Sequence, residues 1–100
     1  MPMPQSATRV GETVFVRFTG IEGPLQALGG AHALGVELCG SDQATCRWAE
    51  TRLQGADMVI PVPQGMAASR VRHAWADAPI VNLYDSRGLP IPGFEMAITP

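Results

Sequence analysis

Apolar and polar residues alternate along most of this chain. In the segment TVFVRF, an extended backbone places Val14, Val16 and Phe18 on one face. Phe15 and Arg17 then lie on the other face. Eleven glycines and nine prolines divide the chain into short pieces, which disfavours long helices. The pattern therefore predicts short β-strands.

The middle of the chain continues this alternation. LGVELCG predicts a short strand that ends at Gly40, and CRWAETRL predicts a strand with two faces: Ala49, Thr51 and Leu53 inward, and Trp48, Glu50 and Arg52 outward. Residues 54–57, Gln-Gly-Ala-Asp, predict a hairpin turn into MVIPVP. Pro61 and Pro63 confine that strand to a sheet edge, or to a position where their nitrogens need no partner.

The C-terminal third predicts two more strands and a turn. In SRVRHAWAD, Val71, His73 and Trp75 share one face. IVNLY predicts a last central strand, and residues 85–88 predict a tight turn in which Gly88 takes positive φ. About six or seven short strands with frequent turns predict one all-β domain, an antiparallel β-sandwich. We expect this domain to span residues 10–98, after an N-terminal tail at residues 1–9.

Composition narrows the possible functions. The chain is 46% hydrophobic and 16% charged, and no apolar run is long enough to cross a bilayer. Its seven basic residues are all arginines, are scattered, and are outnumbered by nine acidic residues, so a nucleic-acid partner is not expected. The opening residues MPMPQSATRV have neither the charged region nor the apolar region of a secretory leader.

The run VRHAWADAPIVNLYDSRGLPIPGF carries a family resemblance. It resembles the closing segment of the sialate O-acetylesterases, carbohydrate esterases of the SGNH hydrolase type, whose C-terminal β-domain ends in a string close to V-R-Y-A-W-A-D, N-L-Y, G-L-P and a phenylalanine. VFVRF, LGVELCGSD and WAETRLQGADMVI fit earlier parts of that domain in order. The resemblance marks eight residues as structural: Arg72, Trp75, Asp77, Asn82, Tyr84, Gly88, Pro90 and Phe94.

Three residues depart from the family's string. His73 stands where the family usually has tyrosine, and Gly93 and Glu95 replace its usual proline and arginine around Phe94. These departures concern local packing at the end of the domain.

The resemblance implies a domain without its own active site. Esterases of this type use a serine nucleophile in a Gly-Gln-Ser-Asn block and a base in an Asp-x-x-His block. Neither block occurs in this sequence, so no catalytic residue, metal ligand or cofactor is predicted. In the family those blocks precede this domain. The expected partner is therefore an SGNH-type catalytic domain, in cis or in trans, and the expected location is periplasmic or extracellular.

Two charged or ionisable residues have a functional and a structural interpretation. His73 is a candidate general base, since imidazole titrates near pH 6.5; the alternative is a packed substitute for the family's tyrosine. Arg72 is a candidate clamp for a sugar carboxylate, such as that of sialic acid. Its alternative role is a structural ion pair with Asp77, Asp85 or Glu37, and for both residues the structural interpretation is favoured.

The aromatic residues Trp48, Trp75 and Tyr84 are candidates for a sugar-stacking platform. Trp75 is expected in the core, whereas Trp48 is the better surface candidate because Ala49 and Leu53 occupy the inward face. Trp48 and Arg72 are thus the candidate carbohydrate contacts.

Cys39 and Cys46 flank the loop GSDQAT. They either form a disulfide or remain as two buried thiols, and the sequence does not decide between these states. Their spacing does not match a metal motif.

Two functions from different classes remain. The favoured one is an accessory, structural β-sandwich that packs on a catalytic domain and exposes an apolar docking patch. The rival is an independent carbohydrate-binding module with an exposed aromatic residue. A complete small hydrolase is a weaker third hypothesis.

Overall fold

The computed structural model describes residues 2–29, 32–33, 35–41, 45–74 and 82–100. These residues form eleven β-strands: β1 Met3–Val10, β2 Thr13–Thr19, β3 Gln26–Ala27, β4 His32–Ala33, β5 Val36–Cys39, β6 Arg47–Trp48, β7 Thr51–Gln54, β8 Asp57–Pro61, β9 Arg70–His73, β10 Leu83–Tyr84 and β11 Phe94–Ala97. Within these ranges there is no helix that is long and apolar enough to cross a membrane. The predicted all-β class is confirmed.

The strands form three antiparallel sheets. A five-stranded sheet has the order β1-β2-β8-β7-β4, a four-stranded sheet has the order β11-β9-β5-β6, and β10 pairs with β3. Inward-facing residues of the two larger sheets share one core, whose members include Val14, Val16, Met58, Ile60, Val36, Leu38, Val71 and Phe94. The rings of Phe18 and Phe94 meet edge to face between these sheets, with centroids 5.8 Å apart. This arrangement is the predicted sandwich.

The predicted faces of β2 are confirmed. Val14 and Val16 are fully buried and Phe18 is nearly so, whereas Arg17 is exposed. The hairpin at residues 54–57 is also present, because Gln54 and Asp57 are the last paired residues of β7 and β8. Local alternation and turn chemistry are sufficient to specify both features.

The predicted N-terminal tail is instead a strand. Met3–Val10 pairs with β2 from Met3 opposite Thr19 to Val10 opposite Thr13, with a register shift between Pro4 and Ser6. β1 is an edge strand, which tolerates prolines because one side of it needs no backbone donors. Ala7 is its buried contact with the core.

The segment predicted as one strand, CRWAETRL, is two strands in different sheets. The Ala49 amide donates to the Val36 carbonyl, 2.9 Å away, on the four-stranded sheet. The chain then crosses over, and Arg52 pairs with Val59 in the five-stranded sheet. The predicted alternation of buried and exposed residues is present, since Thr51 is buried and Trp48 is exposed. The segment is nevertheless two strands and not one.

β8 lies inside its sheet rather than at an edge, which settles the alternatives for Pro61. Pairing with β7 ends at Val59, two residues before Pro61. On its other side Pro61 is opposite Thr13 in β2. Its nitrogen therefore needs no partner from β7.

The C-terminal third differs most from the prediction. β9 ends at His73, and Ala74 takes a left-handed φ of 53°, which stops the extended run. Of the described residues of the predicted strand IVNLY, which begin at Asn82, Leu83 and Tyr84 form a strand that pairs with the short β3 and not with a central strand. β11, which the sequence does not predict, pairs instead with β9. Residues 75–81, with Trp75 and Asp77, lie outside the described residues.

Thr99 joins the C-terminal end of the four-stranded sheet to β1. Its amide donates to the Ala7 carbonyl at 2.9 Å, and its carbonyl accepts from the Arg9 amide at 2.7 Å. The Thr99 hydroxyl also donates to the Ala7 carbonyl at 3.1 Å. The bridge between Thr8 and Thr99 is parallel. We call this contact the Thr99 bridge; it links one edge of each sheet.

Candidate functional site

One row of side chains crosses the outer face of the four-stranded sheet. Strand register places Glu95 of β11 opposite Arg72 of β9, Arg72 opposite Glu37 of β5, and Glu37 opposite Trp48 of β6. Directly opposed residues lie on the same face of a sheet. The two candidate carbohydrate contacts, Trp48 and Arg72, therefore share a face, about 10 Å apart across two strand spacings.

Arg72 is part of a compact ion-pair cluster. Its Nε donates to Oε2 of Glu95, and Nη2 of Arg70 donates to Oε1 of the same carboxylate at 2.9 Å. The side chain of Arg72 is only 10% exposed. The hydrogen bond from Arg72, followed by that from Arg70, lowers the pKa of Glu95, although burial opposes the shift.

The structure thus gives Arg72 a structural ion pair with Glu95, which was not among the three predicted partners. Of the three predicted partners, Asp85 bonds to Arg87 in its own turn, Asp77 is outside the described residues, and Glu37 is directly opposite Arg72 in the sheet. Glu95, which replaces a family arginine, supplies the carboxylate. Glu95 pairs with Arg72 because the register of β11 and β9 places the two residues directly opposite each other.

Trp48 is the most exposed aromatic residue in the described part of the chain, with 65% of its surface accessible. It lies on the two-residue edge strand β6, and Glu37 is directly opposite. Glu37 is half-buried. The sequence placed Trp48 on the surface but did not single out Glu37 as its neighbour, since that pairing depends on the register of β5 and β6.

A disulfide holds this edge strand. Cys39 and Cys46 are bonded, with their Cα atoms 3.9 Å apart, and Cys39 is buried at the end of β5. The pairs between β5 and β6 continue in register to this bridge, two residues from Trp48. Of the two states left open by the sequence, the structure has the disulfide.

His73 is a core residue and not an accessible base. Its ring is fully buried and lies 5.5 Å from the ring of Phe94. Nδ1 lies 3.1 Å from the Pro92 carbonyl, which can only accept, so Nδ1 carries the proton and donates. Within the described residues Nε2 has no hydrogen-bond partner. Burial lowers the pKa of His73, and the hydrogen bond to Pro92 offsets this in part.

Gly93, the second departure, packs tightly beside His73. A Cβ added at Gly93 would lie 2.9 Å from the Ala74 carbonyl oxygen and 3.3 Å from that of His73. A side chain at this position would therefore force the backbone to shift. Gly93 and the left-handed Ala74 are in direct contact at the end of β9.

The other described residues that the resemblance marks have structural positions. Asn82 is buried and its Nδ2 donates to the Leu28 carbonyl at 2.9 Å. Half-buried Tyr84 forms a β-bridge with exposed Pro90, and Phe94 lies in the core. None of these positions carries an exposed reactive group.

Asp85 organises the predicted turn. Its carboxylate accepts from the Arg87 and Leu89 amides at 2.9 and 3.1 Å and from Nε of Arg87 at 2.8 Å. Burial opposes ionisation, but these hydrogen bonds outweigh it and lower the pKa of Asp85. Gly88 takes a φ of 84°, as predicted for this turn.

The outer face of the five-stranded sheet carries an apolar strip, which we define as Val10, Phe15, Val59 and Pro61. Phe15 and Val59 are directly opposite each other, and Val10 is 62% exposed. A cleft of about 330 Å³ contains Val10 and Phe15, and one of about 310 Å³ contains Val59 and Pro61. Polar residues rim the strip, including Ser6, Arg17, Glu50 and Arg52.

Neither face is arranged as a metal site in the part of the chain that the structure describes. No group of three or more histidine, cysteine, aspartate or glutamate side chains comes together there. The candidate sites are therefore the row that ends in Trp48, on the four-stranded sheet, and the apolar strip, on the five-stranded sheet.

Comparison with known proteins finds a similarity among solved structures. No family model matches the chain, and no curated protein matches it significantly. Among solved structures, the chain is similar to a carbohydrate acetylesterase from Xanthomonas citri, with 26% sequence identity and a TM-score of 0.80. The likeness covers 95% of this chain and 22% of the esterase, so the chain spans about a fifth of that protein's length. The chain thus resembles one domain of a carbohydrate acetylesterase.

Proposed function

We propose that this chain is a non-catalytic accessory β-domain of a carbohydrate acetylesterase of the sialate O-acetylesterase type, and that its partner is an SGNH-type catalytic domain. The observation that carries the proposal is the coverage of the structural likeness. Almost the whole chain matches, yet it accounts for 22% of the related esterase. The remaining part of that esterase has no counterpart in this chain.

The environment of His73 supports a non-catalytic role. A general base must reach the proton that it removes, within hydrogen-bond distance or through one water. His73 is fully buried and its Nδ1 proton is committed to the Pro92 carbonyl. In this conformation its imidazole cannot meet a substrate from solution.

The apolar strip is the surface that we assign to the catalytic domain. Exposed apolar patches with a polar rim are typical of protein interfaces. In this sandwich the two outer faces differ: the four-stranded sheet carries a charged row, whereas the five-stranded sheet carries the strip. Docking through the strip removes apolar surface from water and leaves the charged row solvated.

The disulfide supports the proposed periplasmic or extracellular location. Structural disulfides persist in oxidising compartments and are rare in the cytosol. The bond between Cys39 and Cys46 is therefore compatible with the location that the resemblance implies.

A chimera with the Xanthomonas citri acetylesterase tests this proposal. The matched segment is deleted from that esterase and is then replaced by this chain. We expect the isolated chain to show no acetyl-ester hydrolysis above a blank, and the chimera to regain part of the heat stability and activity lost in the deletion. Saturable hydrolysis by the isolated chain, or a chimera no better than the deletion, would contradict the proposal.

Two exposed residues provide a matched pair for the docking face. Val10 in the strip and Leu28 elsewhere have nearly equal exposure, 62% and 61%. In the chimera, Val10→Asp should reduce stability and activity, whereas Leu28→Asp should not. Equal effects of the two substitutions would place the interface elsewhere.

The second candidate is an independent carbohydrate-binding module, and the exposure of Trp48 favours it. This hypothesis predicts that the isolated chain binds sugar and that the chimera is no more stable or active than the deletion.

A further inference from the structure

We propose that the outer face of the four-stranded sheet carries a carbohydrate-contact site, in which Trp48 stacks on an uncharged pyranose ring and Glu37 accepts hydrogen bonds from the sugar hydroxyls. The choice of a carbohydrate as ligand rests on the proposed function. The site itself rests on the register and burial of the residues in the row.

Trp48 supplies a flat apolar surface. Tryptophan is highly buried on average, because removing its large apolar ring from water is favourable. Trp48 nevertheless exposes 65% of its surface on an edge strand. One face of a pyranose ring presents several C–H groups, so it removes apolar area from water when it lies on an indole ring.

Glu37 supplies the acceptor. It is directly opposite Trp48, and opposed side chains in a sheet have Cβ atoms about 5 Å apart. It is half-buried, and among the described residues its carboxylate has no hydrogen-bond or ion-pair partner. An ionised carboxylate only accepts hydrogen bonds, and sugar hydroxyls donate them.

The neighbouring residues restrict the ligand to an uncharged sugar. Arg72 in the row and Arg70, two residues before it on β9, are both bonded to Glu95, so these two guanidinium groups already have a carboxylate. Glu37 lies between this cluster and Trp48, and its charge repels a sugar carboxylate. A neutral or O-acetylated sugar fits this site better than a sialic acid, in contrast to the clamp considered for Arg72.

The disulfide fixes the site before a ligand arrives. β6 has only two paired residues, and the bond between Cys39 and Cys46 ties it to β5 next to Trp48. A side chain that is already ordered loses less entropy on binding. Reduction should therefore weaken sugar binding even where the fold is retained.

The test is an NMR titration of the isolated, oxidised chain, followed through the Trp48 indole N–H signal and, in every variant including Trp48→Ala, through the backbone amide signals of β5 and β6. The probes are acetylated xylo-oligosaccharides, the same oligosaccharides after deacetylation by alkali, and a sialylated oligosaccharide. We expect saturable shifts at Trp48 with the first two probes and weaker binding of the third. Trp48→Ala should raise Kd by about tenfold or more, and Glu37→Gln by about threefold to tenfold.

Leu28→Ala is the matched control, since Leu28 is as exposed as Trp48 but lies off this face. It should leave Kd unchanged, and circular dichroism should show that all three variants remain folded. No shift at Trp48 with any probe, tightest binding of the sialylated probe, or equal Kd values for Trp48→Ala and Leu28→Ala would overturn the proposed site. None of these outcomes affects the chimera result, which tests docking through the opposite face.

Discussion

The buried His73 predicts a specific dependence of stability on pH. Its ring is sealed between the two sheets beside Phe94, and Nε2 has no partner in the described part of the chain. Protonation would place an unpaired charge there. Burial therefore lowers the pKa of His73 below its ordinary 6.5, while in the unfolded chain the imidazole titrates near 6.5.

The direction of this pH dependence follows from the number of protons that His73 binds in the unfolded and folded states. Below about pH 6.5 the unfolded state binds a proton at His73 that the folded state does not bind, so acid favours unfolding. The contribution is fully present above that pH and is lost as the pH falls towards the lowered pKa of the folded state. One proton corresponds to a slope of at most about 1.4 kcal/mol per pH unit. Between about pH 6.5 and pH 5 the loss is therefore at most about 2 kcal/mol.

Urea unfolding followed by tryptophan fluorescence, at a series of pH values from about 8 to 5, measures this slope. His73→Phe keeps an aromatic ring of similar size and removes both nitrogens. It should flatten the profile in this window, while its stability at neutral pH changes little, because the lost bond to Pro92 is offset by loss of the unpaired Nε2. His32 is present in both proteins, so its titration cancels in the comparison. Parallel profiles for the two proteins would refute the assigned environment of His73.

Three further outcomes test the disulfide, the core and the acidic clusters. The intact mass of the non-reduced protein should be lower than that of the reduced protein by two hydrogens. Replacement of Cys39 and Cys46 by serine should lower the free energy of unfolding by about 2 to 3 kcal/mol, the entropic contribution of closing so short a loop. Two alkylatable thiols in the folded, air-oxidised protein would contradict the disulfide. Phe94→Ala should lower the free energy of unfolding by about 3 to 5 kcal/mol, because it leaves a cavity against Phe18, and a loss below about 1 kcal/mol would place Phe94 outside the core. Since the pKa values of Asp85 and Glu95 are both lowered, stability should fall as the pH drops through about 4 and below, and Glu95→Gln should reduce that fall; an unchanged acid profile in Glu95→Gln would argue against its pairing with the arginines.

The parts of the fold that were predictable are those set by local chemistry. Val14, Val16 and Phe18 share the core face because strand side chains alternate, whatever the strand pairs with. The turn at residues 54–57 and the positive φ of Gly88 likewise follow from residue type. These features need no knowledge of distant partners.

The predictions of strands are wrong where pairing with a segment distant in sequence determines the structure. Residues 3–10 contain one proline and few apolar residues, and they become a strand because β2 and the Thr99 bridge provide partners. The run from Arg47 to Gln54 keeps one alternation but pairs with two different sheets. A pattern along the chain contains no information on which sheet supplies the hydrogen bonds.

The site shows the same limit. Alternation alone predicts that Trp48 lies on the surface, and the predicted ion pair of Arg72 is present but with a carboxylate that was not among its predicted partners. Glu95 as its partner, and Glu37 as the neighbour of Trp48, both depend on the register between strands far apart in sequence. Asp85 instead satisfies its own turn, although composition alone made it an equally good partner for Arg72.

The Thr99 bridge also determines how the domain responds to mechanical force. β1 and Thr99 run parallel, so tension applied to the two ends of the chain slides them past each other. The bonds from Thr99 to Ala7 and Arg9 then bear the load together instead of opening one after another. Resistance to extension is a rate of unfolding and not an equilibrium stability. Three hydrogen bonds at one residue therefore act as a shear clamp that keeps β1 in place when the chain is pulled.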